Sequence, residues 1–157
     1  MKKQKGFSLI ELLIVVAIIL IIAAIAIPNL MRSKMAANEA SAVASVRTLN
    51  TASATYSSTY GIGFPAGLAN LGPAAAATAA AADLIDNVLS TGAKSGYTFV
   101  LTGGAPDASG VVQSYVINAD PTKQDTTGIR HFFSNQSAVI RQAVGAAATA
   151  ASTPIGN

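Results

Sequence analysis

From Leu12 to Ile27 the chain holds sixteen apolar residues without a break, and this run limits what the start of the chain can become. Extended back to Phe7, the segment has 21 residues. As a helix rising about 1.5 Å per residue it covers roughly 31 Å, close to the thickness of a bilayer core. Lys2, Lys3 and Lys5 precede it. They form the positive flank that stays cytoplasmic, so the rest of the chain is expected outside the cytoplasmic membrane. Glu11 is the one charge within the segment. A charge in hydrocarbon costs about 2.5–3.5 kcal/mol at a helix centre and less near an end, and an acid kept there asks for a partner. Pro28 closes the run. Proline lacks an N–H and costs about 3 kcal/mol inside a helix. Either the membrane helix ends at Pro28, or one long helix kinks there and continues through Leu30 and Met31.

A secretory signal peptide would be cut near Ala24-Ile25-Ala26, and a plain single-pass anchor would simply stay in place. Neither gives Glu11 a purpose. A third reading rests on resemblance. Lys5-Gly6-Phe7-Ser8-Leu9-Ile10-Glu11-Leu12 resembles the class III signal of type IV pilins and type II secretion pseudopilins. The resemblance implies a leader of residues 1–6, cut by a dedicated prepilin peptidase between Gly6 and Phe7, with the new Phe7 amine methylated by the same enzyme. Glycine at the cut suits close approach of a protease to the backbone. Glu11 then falls where the family carries its glutamate, and Pro28 where many members carry a proline. In a filament with helices bundled at its centre, the Glu11 carboxylate of one subunit would meet the Phe7 amine of its neighbour. Two unit charges 4 Å apart attract by about 4 kcal/mol at an effective dielectric of 20. Desolvation offsets much of this, so the pair sets subunit register more than stability.

The formal charge of +3 belongs to the leader. With Lys2, Lys3 and Lys5 set aside, basic and acidic side chains balance at seven each. There is no basic patch with interleaved aromatics, so nucleic acid is not an expected partner. The absence of cysteine rules out a disulfide staple and a thiolate metal site, and departs from pilins that close a C-terminal disulfide loop.

Beyond Pro28, Met35, Ala42, Val46, Leu49, Tyr56 and Tyr60 recur at helical spacing, with Glu39 and Ser53 interrupting the stripe. They predict an amphipathic helix over 29–60 whose stripe packs on a sheet. Gly61-Ile62-Gly63-Phe64-Pro65 breaks it. Pro73 and the alanine-rich run Ala74 to Ala82 predict a second helix, with Leu84, Ile85, Val88 and Leu89 as its apolar stripe and Gly92 as its stop. Four antiparallel strands follow, over 96–102, 111–118, 129–134 and 138–141, with Asn135-Gln136 turning the last hairpin. Four short strands cannot bury a face alone, and the amphipathic helix supplies the missing layer. The expected fold is therefore α+β and type IV pilin-like. Residues 7–28 form the membrane or filament-core half of the helix, 29–60 its amphipathic half, 61–144 the globular head and 145–157 a flexible tail.

No catalytic constellation is legible, and no enzyme is expected. His131 is the only histidine, and without cysteine a zinc site would need distant carboxylates, so ordinary packing accounts for it. Asp107, Asp120 and Asp125 lie in two loops flanking the second predicted strand. The resemblance makes calcium the one metal to consider, because major pseudopilins often bind it in a late loop. The spacing matches no EF-hand, and aspartate serves turns in any case. No other cofactor is expected. The nine aromatics fit core positions better than an electron path. The resemblance implies a precursor in the bacterial inner membrane that polymerises with copies of itself on an assembly platform. The product would be an extracellular pilus for adhesion, motility or DNA uptake, or alternatively a periplasmic pseudopilus for type II secretion.

Overall fold

The structure, a computed structural model, describes residues 6–156. It divides into two compact units, one reaching Lys34 and one from Met35 onward. A single helix, α1 (Leu9–Tyr60), contributes to both. It runs through Pro28, so the helix does not end at the proline. It stops where Gly61, at φ 66°, donates its N–H to the Ser57 carbonyl at 3.1 Å. A left-handed residue costs glycine nothing, which is why helices often end this way.

In the second unit α1 packs against a six-stranded antiparallel sheet: β1 (Ala93–Lys94), β2 (Tyr97–Gly103), β3 (Tyr115–Pro121), β4 (Arg130–Asn135), β5 (Arg141–Val144) and β6 (Thr153–Pro154). Every strand pairs with its neighbour in sequence. Register places Phe99 beside Ala119, Ala119 beside Phe132 and Phe132 beside Gln142. Alternation along β2 sends Tyr97, Phe99 and Leu101 inward; Tyr115, Ile117 and Ala119 do the same on β3. These meet Ala42, Val46, Leu49, Ala52 and Tyr56 of α1 in one core, which Leu71, Ile85 and Leu89 close.

The α+β reading holds, with differences that have physical causes. The expected four strands are six, because β1 and β6 are two-residue pairings too short to show a period. The second predicted strand begins later, at Tyr115, because Val112 is drawn away to Phe64, whose N–H donates to the Val112 carbonyl at 2.8 Å. The last strand also shifts, to Arg141–Val144. Its turn is longer than two residues: Asn135 accepts from the N–H and hydroxyl of Ser137, and Ala138 takes φ 57°. The expected flexible tail contributes β6 and a buried Ala148, and Arg141 reaches the Ser152 carbonyl at 3.0 Å.

The alanine run is not a helix. The structured pieces around it are a 3-10 turn, Leu68–Leu71, and one helical turn, α2 (Asn87–Ser90), capped by Asp86. The Ala79 carbonyl, which a helix would commit to Asp83, accepts instead from the Tyr56 hydroxyl at 2.7 Å and the Asn70 amide at 3.2 Å. Tertiary partners outbid alanine's helix propensity here.

Candidate functional site

The predicted processing site lies at the start of α1. Gly6, Phe7 and Ser8 precede the helix, and Phe7 is 80% exposed. The basic leader residues Lys2, Lys3 and Lys5 lie outside the described residues. Ser8 occupies the N-cap position: its carbonyl accepts from the Leu12 N–H at 3.2 Å, and its own N–H donates to Glu11 Oε2 at 2.9 Å. This is half of a capping box, which satisfies one orphan donor of the first turn and sets an acid at the positive end of the helix dipole. The signal was present in sequence as Ser8-Leu9-Ile10-Glu11, a Ser-x-x-Glu spacing that the sequence reading overlooked. In the single chain Glu11 thus has a partner of its own. From Leu9 to Ile22 the helix surface is exposed all round, and the helix is long and apolar enough to cross a membrane.

The aspartates proposed for calcium are not brought together. Asp107 follows β2, at the end of β3 that starts with Tyr115; Asp120 and Asp125 sit at the other end. One ion cannot span that strand, which is about 20 Å long at 3.4 Å per residue. Asp107 is also engaged: Oδ1 accepts the N–H groups of Ser109 and Val111, and Oδ2 accepts from Gln113. Asp120 faces His131 Nδ1 at 2.6 Å, across two paired strands on the face opposite the core. The other ring nitrogen lies 3.1 Å from Gln124 Oε1. His131 is thus held by packing and hydrogen bonds. Among the described residues no three His, Cys, Asp or Glu groups cluster to hold a metal.

Two polar contacts at the helix–sheet seam were missed in sequence. Glu39, expected to interrupt the apolar stripe, is only 7% exposed. Its Oε1 accepts the N–H groups of Ile129 at 2.8 Å and Arg130 at 3.1 Å, and its Oε2 accepts from Arg130 Nε at 2.7 Å. Burial works against the charged carboxylate. The Ile129 N–H, the guanidinium and the Arg130 N–H outweigh it and hold Glu39 below the usual carboxylate range. Further along α1, buried Asn50 donates to Ser134 Oγ at 2.9 Å and accepts from the Tyr115 hydroxyl at 3.1 Å. A helix that slid along the sheet would leave each of these groups unpaired, which costs about 1–3 kcal/mol per group. Beside the seam, Arg47, Thr48, Thr51, Ala52, Thr55 and Leu84 line a shallow groove of about 340 Å³.

Residues 1–27 match the family profile described as the prokaryotic N-terminal methylation motif. The start of the chain is thus similar to the processed N-terminus of prokaryotic N-methylated proteins. Among curated proteins it is 59% identical, over 39 residues, to the type IV wide pilus major component PilA4 of Thermus thermophilus. That alignment takes in 25% of this chain and 30% of the relative, so the chain spans less than a third of the length of the curated relative it matches. No solved structure matches.

Proposed function

We propose that this pilin-like chain is the building block of a type IV pilus-like filament. A prepilin peptidase cuts between Gly6 and Phe7 and methylates the Phe7 amine. The subunit waits in the inner membrane by its apolar helix and then polymerises through that helix, on an assembly platform, into an extracellular fibre. One observation carries the reading: the apolar stretch of α1, exposed on every side, carries a single acid, Glu11, in its first turn. In a lone anchor the acid serves only as a cap for the Ser8 N–H; a helix bundle gives it a second use, registering Glu11 against a neighbour's Phe7 amine. Glu11 would exchange its Ser8 N–H partner for that amine on assembly, with Pro28 as the point where the helix yields by kinking. The pilus component among its relatives supports a fibre over a type II secretion pseudopilus.

The test is Glu11→Ala in the native host. Membrane insertion and a mass beginning at methylated Phe7 are expected to persist, while fibre yield seen by electron microscopy falls at least about tenfold, since an unpaired buried charge costs several kcal/mol. Normal fibre yield from this variant would sink the proposal. Short periplasmic rods in place of surface fibres would favour the secretion piston.

A further inference from the structure

Between β3 and β4 the chain forms a lobe, residues 122–129, that is largely bonded to itself. The N–H groups of Thr126 and Thr127 donate to the Lys123 carbonyl, the Asp125 N–H donates to Gly128, and the Gln124 amide donates to Ile129. Among the described residues, the hydrogen bonds from α1 to this lobe and the start of β4 come from two adjacent side chains. Asn38 donates to the Thr127 carbonyl at 2.8 Å, and Glu39 receives Ile129 and Arg130. The lobe also lies tight over Gly96 (φ 73°), where a Cβ would stand 2.9 Å from Thr127 Cβ and 3.2 Å from Asn38 Nδ2. The lobe also donates the Thr122 N–H to the Gly96 carbonyl at 2.9 Å, and its Gln124 lies 3.1 Å from His131; its hold on α1 rests on Asn38 and one buried carboxylate, an arrangement that has the parts of a latch.

We propose that Glu39 is an acid-released latch: its carboxylate holds the 122–129 lobe and the first residue of β4 against α1, and its protonation frees the lobe while the sheet stays folded. The inference stands apart from the filament reading, since every group in it lies in the second unit. The groups facing Glu39 account for the direction. Arg130 on β4 supplies positive charge, and the Tyr97 hydroxyl on β2 senses the carboxylate and is pushed up, chiefly by burial. On α1 no other charged residue lies between Met35 and Val43. The lobe's own Lys123 and Asp125 are both exposed, and His131 with Asp120 occupies the opposite face of the sheet. Because the folded carboxyl titrates below its ordinary value of 4.5, the latch is closed above that pH and opens as acidity passes the folded value.

The experiment is hydrogen exchange with mass spectrometry on the full chain in detergent micelles, read as protection factors against pH. In wild type, the amides of Ile129, Arg130 and the lobe are expected to lose about tenfold or more in protection between about pH 7 and about pH 3, while β2 and β3 remain protected. Glu39→Gln, a neutral isostere, is expected to show the open pattern already at neutral pH with no further acid response. Gly96→Ala, which crowds Thr127 without touching the charge, is expected to open the lobe at both pH values. Wild-type-like lobe protection in Glu39→Gln at neutral pH would overturn the latch. Simultaneous acid loss of lobe and sheet would do the same, and so would an opening centred in the ordinary histidine range near about pH 6.5. The wild-type titration decides alone if Glu39→Gln does not fold.

Discussion

At the scale of single residues, the buried polar groups of α1 differ in what they do. Glu39 and Asn50 have partners; Ser53 is fully buried and its hydroxyl has none among the described residues. Ser53→Ala removes an unmatched donor and installs a better helix former. It is expected to stabilise the fold by about 1 kcal/mol, read as a raised urea midpoint with an unchanged slope. A lowered midpoint would mean that the hydroxyl has a partner in solution. Sequence reading caught Glu11 because an acid is conspicuous in an apolar run. It misjudged Glu39 because a charged residue in an amphipathic stripe reads as an interruption. Only the fold shows that Ile129 and Arg130, 90 and 91 residues away, turn their N–H groups toward it.

Among the elements, those with a strong period were legible and those defined by partners were not. The apolar faces of α1 and β2 follow from 3.6- and 2-residue alternation. The two-residue edge strands β1 and β6, and the alanine loop draped over Tyr56, depend on groups distant in sequence. The segment after α1 shows how tight such a connection is. Gly63 sits at φ 85°, and its neighbours Ile62 and Phe64 exchange backbone hydrogen bonds with Val112 at 3.1 and 2.8 Å. A Cβ at Gly63 would collide with the Val112 backbone as well as strain φ. Gly63→Ala is expected to cost at least about 2 kcal/mol in thermal or urea unfolding. A change of a few tenths would show that the connection gives way freely.

For the whole molecule, the sequence announced a membrane-compatible start and an α+β remainder, and the structure separates them at Lys34. The second unit has its own core from Ala42 to Ile140. Residues 35–157 alone are therefore expected to fold and unfold cooperatively, with dispersed amide NMR signals and without detergent. Aggregation or a collapsed spectrum would show that the apolar helix is needed for folding. The neighbour-to-neighbour strand order carries a consequence for how such a chain is made. No strand waits for a later one to arrive before it can pair, so each closure spans a short loop and costs little entropy. A polypeptide emerging N-terminus first can lay its sheet strand by strand onto a helix already in place. The unpaired edge moves along with synthesis until Thr153 and Pro154 cover it.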